Sequence, residues 1–530
     1  MSSPSPDYTL YLVTGRELLP PGKDYYESLN ESLEGGVTIV QIREKNTDTR
    51  EFLEIAKRSK EICHRYGVPL LINDRIDIAL AMNADGIHIG QSDMPIEIAR
   101  KLLPAGSIIG VSVNTPAEAE EVVKGGLADY VGIGALWATN SKKLTSPVLG
   151  IRGVGPILQT LEKTSIKAVA IGGIKSSNLL RSLHGAVSPN GRALDGIAVV
   201  SEIVSSHQPS VVAQRLCQII RAFKDRPFSL FSRIYAEPPT AQVLVDSAAH
   251  LLCSVKEYRP LVHQITNNVT INQLANATLA LGASPIMATS PHEMEDLAKI
   301  PGALLINFGT ISDKEGMLAA GHYANLERKP IVFDPVGIGA TAYRRTTANE
   351  LLNTWQAAVI KGNAGEIASL IGSNEVKSHG VDSLGSGFSS PKEILCALAK
   401  RERCIIVMTG ETDYVSDGNL TVKLSNGSAF LGDITGSGCL AGSTVATFCG
   451  AENKRSKRSE PSSGEVEGIL AAGDMFVGAI AGVLTLTIAS ELAAQRPEVH
   501  GTGTFLSALI DELYNLTPEK IIQRAKLEVV

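Results

Sequence analysis

Between residues 8 and 200, eight short apolar runs recur with helix-forming stretches between them: 8–14, 37–43, 70–73, 86–89, 108–113, 130–133, 168–171 and 196–200. Several are almost wholly apolar, which suits parallel strands buried on both faces. Parallel neighbours need crossovers, and stretches such as 50–66, 117–125 and 177–183 suit helices. Eight strand–helix units in about 220 residues predict a closed (β/α)8 TIM barrel. The alternative, an open doubly wound sheet, usually has fewer strands. A chain of 530 residues also exceeds what one hydrophobic core organises, so a second domain is expected.

A barrel places its chemistry at the carboxyl ends of its strands. The second run ends in Gln41, Arg43 and Lys45, whose period-two spacing puts them on one face. A solvated basic strand end is the plainer reading. The third and fourth runs lead into Asn73-Asp74 and Gly90-Gln91-Ser92-Asp93. Carboxylates at neighbouring strand ends can share Mg²⁺, which takes oxygen ligands and keeps substrate phosphate and water. Equally, Asp74 and Asp93 could cap the helices that follow. His88, inside the fourth run, reads as structural. Ser112, the segment Thr139-Asn140-Ser141-Lys142, Gly172-Gly173 and Val200-Ser201 complete the face. Backbone amides of such late turns commonly hold a phosphate, although the glycines could serve turn geometry alone. One arginine, two lysines, a carboxylate pair and a second phosphate cradle suit two anionic substrates.

Residues 225–240 contain three prolines and no periodicity, and mark the boundary. We place the domains at 1–228 and 241–530, with 229–240 as linker. The second half has strand candidates at 261–265, 285–288, 303–307, 331–333, 357–360 and 405–408, then a hairpin of 414–416 and 421–424. An open αβα sandwich is predicted. The stretches 373–390 and 452–464 read as loops or mobile inserts. The sharpest local signal is Asp433-Ile434-Thr435-Gly436-Ser437-Gly438-Cys439 before an apolar helical run. A Gly-rich turn at a helix start presents amides to an anion, but this one lacks the Gly-Lys-Ser/Thr ending of a Walker loop. Cys439 there could have a lowered thiol pKa, or be a small packing residue.

Composition restricts partners. A net charge of −6 gives no reason to expect nucleic acid or a membrane surface. The polar start MSSPSPDYTL lacks a secretory core. Seven cysteines without metal-finger spacing suit a reducing cytoplasm, and Cys63, Cys253, Cys404 and Cys449 read as buried. The apolar stretch 475–490 is shorter than the ~20 residues of a membrane span and reads as a closely packed buried helix.

In the first half, Val40-Gln41-Ile42-Arg43-Glu44-Lys45, Ile72-Asn73-Asp74-Arg75, Gly86-Ile87-His88-Ile89-Gly90-Gln91 with Asp93, and Ala170-Ile171-Gly172-Gly173-Ile174 resemble thiamin-phosphate synthase, over residues 8–225. That family joins a pyrimidine methyl diphosphate to a thiazole phosphate and releases pyrophosphate. The resemblance implies that Gln41, Arg43, Lys45, Asn73, Ser112 and Lys142 hold the pyrimidine diphosphate, and that Asp74 and Asp93 bind Mg²⁺. It implies that Thr139, Ser141, Gly173, Val200 and Ser201 surround the thiazole phosphate. One departure is visible: Gly134-Ala135-Leu136-Trp137-Ala138-Thr139 lacks the two prolines usual in the family's loop.

In the second half, His263-Gln264-Ile265-Thr266-Asn267, Ala283-Ser284-Pro285-Ile286-Met287, Asp334-Pro335-Val336-Gly337 with Gly339-Ala340-Thr341, Lys361-Gly362-Asn363-Ala364-Gly365-Glu366, and Thr435-Gly436-Ser437-Gly438-Cys439 resemble hydroxyethylthiazole kinase, over residues 241–525. The resemblance implies a ribokinase-like sandwich in which Cys439 replaces the superfamily's usual Asp. Asn267, Met287 and Gly436 then face the thiazole, and Lys361, often Arg in the family, contacts ATP together with Thr409. Asp334 and Glu366 organise Mg²⁺, and Cys439 sits where a base would. It further implies a homo-oligomer built on a kinase trimer, or a hexamer. Two rivals remain open on the sequence: a kinase for the pyrimidine alcohol, and a barrel that senses ligands without catalysis.

Overall fold

The eight runs of the first half become eight parallel strands that close into a barrel. They are β1 Leu10–Val13, β2 Ile39–Ile42, β3 Leu70–Asn73, β4 Gly86–Ile89, β5 Ile108–Val113, β6 Tyr130–Ile133, β7 Lys167–Ile171 and β8 Gly196–Val199. This computed structural model describes residues 6–139, 141, 146–225, 231, 237–373, 375–379, 382–384, 387–459 and 468–530. The chain divides into two units, Met1–Pro227 with Glu465–Gly468, and Phe228–Gly464 with Ile469–Val530.

Alternation along the strands sorts the barrel's side chains into two cores. Leu10, Leu12, Val40, Ile42, Leu70 and Ile72 face outward onto helical residues such as Phe52 and Ile55. Tyr11, Val13, Ile39, Leu71, Tyr130, Val169 and Ala198 fill the interior with Tyr8. The rows continue upward two residues at a time: Ile39 leads to Gln41 and Arg43, Leu71 to Asn73, and Ala198 to Val200. The polar top of the barrel is therefore the continuation of its apolar interior.

The second unit is built on a nine-stranded sheet. Its strands, with a separate hairpin, are β9 Leu261–Ile265, β10 Ser284–Ile286, β11 Gly302–Asn307, β12 Ile331–Asp334, β13 Val359–Asn363, β14 Lys377–His379, β15 Asp382–Leu384, β16 Ile405–Thr409, β17 Asp413–Ser416, β18 Thr421–Leu424 and β19 Leu527–Val529. The sheet order is β10-β9-β11-β12-β13-β16-β17-β18-β19. The strands up to β16 pair in parallel and the last three antiparallel. Helices complete the αβα arrangement.

Four expectations need correction. The stretch 373–390 contains the antiparallel pair β14–β15, whose backbone bonding no side-chain pattern announces. The first part of 452–464, read as a loop or mobile insert, belongs to helix Ser437–Ser459, because charged and serine residues are tolerated on a helix as well as in a loop. The C-terminal strand β19 was not expected; three residues are too few to show a period. Cys253 is exposed, although Cys63, Cys404 and Cys449 are buried.

Helix Met475–Ala494 is long and apolar enough to cross a membrane, yet 89% of its most apolar window is buried inside the protein. A Cβ on Gly482 would lie 2.4 Å from Val445 Cα, and one on Gly478 would lie 3.2 Å from Cys449 Cα. These glycines let the helix lie close against Ser437–Ser459, whose first turn carries Cys439.

Candidate active sites

At the barrel's carboxyl end, a cavity of about 650 Å³ is lined by Gln41, Arg43, Lys45, Asn73, Asp74, Asp93, Ser112, Thr139, Ser141, Gly173, Val200 and Ser201. Every synthase residue singled out from the sequence is thus gathered there except Lys142, which lies outside the described residues. Neither carboxylate caps a helix: the residues preceding the two helices are Arg75 and Pro95. Instead Lys45 donates a hydrogen bond to Asp74 Oδ2, and Asp93 Oδ2 accepts from the Gly90 amide at 2.7 Å. Burial, and then the neighbouring Asp74, push the Asp93 carboxyl above its ordinary range. Asp74 has φ +59°, a left-handed conformation uncommon outside glycine.

The Gly172-Gly173 turn requires glycine on two counts. Both residues have positive φ, +100° and +64°. A Cβ on Gly173 would meet Ala138 O at 2.5 Å. The chain after β7 thereby lies against the loop that carries Thr139 and Ser141. The wall also includes Tyr11, Tyr130 and His88, none of them assigned a ligand from sequence. The tyrosines' signal was present, as polar tips on inward-facing strand positions. His88 lies within β4, as expected, and its side chain reaches the cavity wall.

The second unit holds a cavity of about 1120 Å³ at the carboxyl ends of its parallel strands, where open α/β sheets bind ligands. Asn267, Lys361, Glu366, Thr409, Gly436 and Cys439 line it. Asp334 lies behind them, with Lys361 Nζ 3.2 Å from its Oδ1; the two side chains are 0% and 3% exposed respectively. Burial opposes charge on Lys361, but Asp334 and Glu366 outweigh it and its pKa is raised. Glu366 accepts from the amides of Gly337 and Asn363, at 2.9 and 2.8 Å, and burial pushes its carboxyl up to about 7. Met287 follows the edge strand β10 and is not among this cavity's lining residues.

Cys439 occupies the first turn of helix Ser437–Ser459. The lowered thiol pKa expected from that position is not found: burial, and next the charge of Asp334, push it up, against Lys361 and two amides. A helix terminus does not outweigh loss of water and a buried carboxylate nearby. The Nδ2 atoms of Asn267 and Asn307 donate to Cys439 Sγ at 3.3 and 3.2 Å. Asn307 also donates to Asp334 Oδ2 at 2.8 Å. It was missed in the sequence, although a polar residue ending an apolar run was the signal that found Asn73. Asp413 was missed too; it is buried in the cavity wall, accepts from the Gly410 amide at 3.0 Å, and burial pushes it to about 7. Gly436 has φ +78°, and a Cβ there would lie 2.1 Å from Thr270 Cγ2, so the turn before the helix needs glycine.

Two family models match the chain: thiamine monophosphate synthase over residues 10–203 and the hydroxyethylthiazole kinase family over 252–519. The "Probable thiamine biosynthetic bifunctional enzyme" of Schizosaccharomyces pombe is 39% identical, covering 98% of each chain. The chain belongs to the bifunctional thiamine biosynthetic enzymes. The thiamine biosynthetic bifunctional enzyme of Saccharomyces cerevisiae is likewise 39% identical, covering 97% of this chain and 96% of that one. Hydroxyethylthiazole kinase of Alkaliphilus oremlandii is 39% identical over 54% of this chain and 99% of its own. This bifunctional enzyme thus has both activities, thiamin-phosphate synthase and hydroxyethylthiazole kinase, with ATP as the kinase's co-substrate. The kinase match decides against a pyrimidine alcohol as the second unit's substrate, and the synthase match against a non-catalytic barrel.

Proposed function

We propose that the two cavities divide one reaction sequence. The second unit phosphorylates 4-methyl-5-(2-hydroxyethyl)thiazole. The barrel then joins the thiazole phosphate to 4-amino-2-methyl-5-(diphosphooxymethyl)pyrimidine, giving thiamin phosphate and pyrophosphate. We assign the synthase to residues 1–228, the linker to 229–240 and the kinase to 241–530. The observation that carries the barrel's part is the convergence of Arg43, Lys45, Asp74 and Asp93 in one cavity.

In the barrel, Gln41, Arg43, Lys45, Asn73, Ser112 and Lys142 hold the pyrimidine diphosphate. Thr139, Ser141, Gly173, Val200 and Ser201 enclose the thiazole phosphate. Asp74 and Asp93 suit Mg²⁺, since they are adjacent carboxylates and, with the Lys45 ammonium beside them, Asp93 is still pushed toward its neutral form. In the kinase, Asp334 and Glu366 suit Mg²⁺ for the same reason, with Lys361 as their buried cation. Two carboxylates can serve such an ion, since Mg²⁺ takes its other oxygens from phosphate and water. When bound, Mg²⁺ neutralises charge that builds on the departing or transferring phosphate. Arg43 and Lys45 add fixed positive charge toward the pyrophosphate, so no protein nucleophile is required.

Lys361 and Thr409 contact ATP, Asn267, Met287 and Gly436 bound the thiazole, and Cys439 stands where a base for the hydroxyl would be, though only its minor thiolate form, disfavoured by burial and Asp334, can take the proton. The amides of Asn267 and Asn307 hold its sulfur in place. Phosphoryl transfer depends more on positioning and charge than on a base. One assay supplies ATP, Mg²⁺, the thiazole alcohol and the pyrimidine diphosphate, with thiamin phosphate as readout. Wild type should form the product, and Cys439→Ser should keep measurable kinase activity. Cys439→Asp should be at least as active as the serine variant, because the two amides suit a carboxylate equally well. An aspartate variant that binds both substrates normally but is the slower of the two would make Cys439 a packing residue.

The enzyme is further proposed to be a cytoplasmic homo-oligomer, a kinase trimer or a hexamer made from it. Its seven free cysteines suit a reducing compartment. Met287 lies beside an edge strand and outside its own chain's cavity, as suits a residue offered to a neighbour's thiazole. Sedimentation at assay concentration should show the oligomer; a fully active monomer would refute it.

A further inference from the structure

Five side chains in the barrel wall form one hydrogen-bonded chain that the assignments above use only at its ends. Gln41 Nε2 donates to Tyr11 Oη at 2.8 Å. Tyr11 Oη lies 2.7 Å from Tyr130 Oη, which lies 2.9 Å from His88 Nδ1. His88 Nε2 lies 3.0 Å from Ser112 Oγ. The residues come from five strands, β1, β2, β4, β5 and β6, and all of them line the cavity. Glycines make room for the middle members: a Cβ on Gly110 would fall 2.0 Å from Tyr130 Cζ, and one on Gly132 would fall 3.0 Å from His88 Cε1.

Each phenol has one hydrogen to donate, and burial keeps both phenols protonated. An amide nitrogen only donates. With Gln41 Nε2 turned to Tyr11, Tyr11 gives its hydrogen to Tyr130, and Tyr130 gives its own to His88 Nδ1. That leaves the imidazole hydrogen on Nε2, which donates to Ser112, and the serine hydrogen is then free to point at a ligand. With a neutral imidazole, reversing any one bond leaves two donors or two acceptors facing each other or a phenol hydrogen unused, unless the Gln41 amide turns over and every bond reverses with it. The two ends are therefore linked. In the first order, with Nε2 toward Tyr11, Gln41 offers its carbonyl oxygen and Ser112 its hydroxyl hydrogen. In the reversed order, Gln41 offers NH₂ and Ser112 offers lone pairs.

We propose that Tyr11, Tyr130 and His88 are positioning residues that couple the amide of Gln41 to the hydroxyl of Ser112. The site thereby selects an aminopyrimidine, whose amine donates, over its oxo counterpart, whose oxygen accepts. The proposal rests on the barrel cavity being the pyrimidine diphosphate site.

The test compares KM for the aminopyrimidine diphosphate with the inhibition constant of the 4-oxo diphosphate, in the full-length enzyme. Tyr130→Phe keeps the ring that fills the space beside Gly110 and removes only the central oxygen. It should shrink the amino-over-oxo preference by about tenfold, the scale of one buried hydrogen-bond reading. Thiazole phosphate KM and kinase rate should stay at wild-type values. Tyr11→Phe breaks the chain at another point and should do the same. His88→Gln keeps a donor reaching toward Ser112, whereas His88→Asn does not, so the glutamine variant should retain more of the preference. A wild-type preference in both phenylalanine variants, with kinase rate intact, would overturn the coupling. Equal preference in the two His88 variants would also overturn it, as expected if His88 merely fills space. Failure of wild type to use the pyrimidine diphosphate would instead overturn the reading of the cavity.

Discussion

Replacing both Asp74 and Asp93 by asparagine is expected to lower synthase turnover at least about 100-fold, the scale of losing a principal electrostatic element of a site. Thiazole phosphorylation should be unchanged. The reason is charge. Asp93 is pushed toward its neutral form by burial and by Asp74, and the Lys45 ammonium, paired with Asp74, offsets only part of that. A divalent cation relieves that repulsion, so removing both carboxylates removes the reason for the cation to bind. Asparagine is the better substitution at position 74. With φ at +59°, alanine would add a conformational cost of roughly 1–2 kcal/mol, and a folding defect could then pass for a metal defect. Turnover measured against Mg²⁺ concentration decides the matter. Normal Mg²⁺-dependent synthesis in the double variant would remove the metal assignment.

Lys361→Met should abolish most kinase activity, by about 100-fold or more in kcat/KM on the same electrostatic grounds, and leave the synthase intact. Lys361 and Asp334 form a pair with almost no solvent access. Removing one partner from such a pair typically costs about 3–5 kcal/mol, because the other charge is left buried. Chemical denaturation and kinase kinetics on one preparation separate the two effects. Lys361→Arg keeps the charge and should be much the milder change. Its fit is limited by Gly438, where a Cβ would already lie 3.1 Å from the lysine nitrogen. Wild-type kinase rates in a folded Lys361→Met protein would show that the lysine does not serve the phosphates.

The barrel and the sandwich could be read from the chain because burial on both faces leaves nearly unbroken apolar runs at regular intervals. Leu70–Asn73, Gly86–Ile89, Ile108–Val113 and Tyr130–Ile133 appear in the structure with the bounds their composition suggested. The barrel site was legible for a related reason: polar residues that end apolar strands must lie at one rim. Gln41, Asn73 and Ser112 announced themselves in that way. The hairpin β14–β15 and the strand β19 did not, since a few residues held by backbone bonds leave no period in the side chains.

Only tertiary structure decided the rest. Whether Asp74 and Asp93 cap helices or face each other depends on how neighbouring strand ends turn. The thiol of Cys439 could, from its place at a helix start, have been acidified or have been a small packing residue. Burial and then Asp334, at the end of a strand distant in sequence, push its pKa up instead. The chain from Gln41 to Ser112 joins residues from five strands. Sequence determines which side chains reach the barrel interior, since alternation is local; closure of the barrel decides which of them meet, since those distances are set across the sheet.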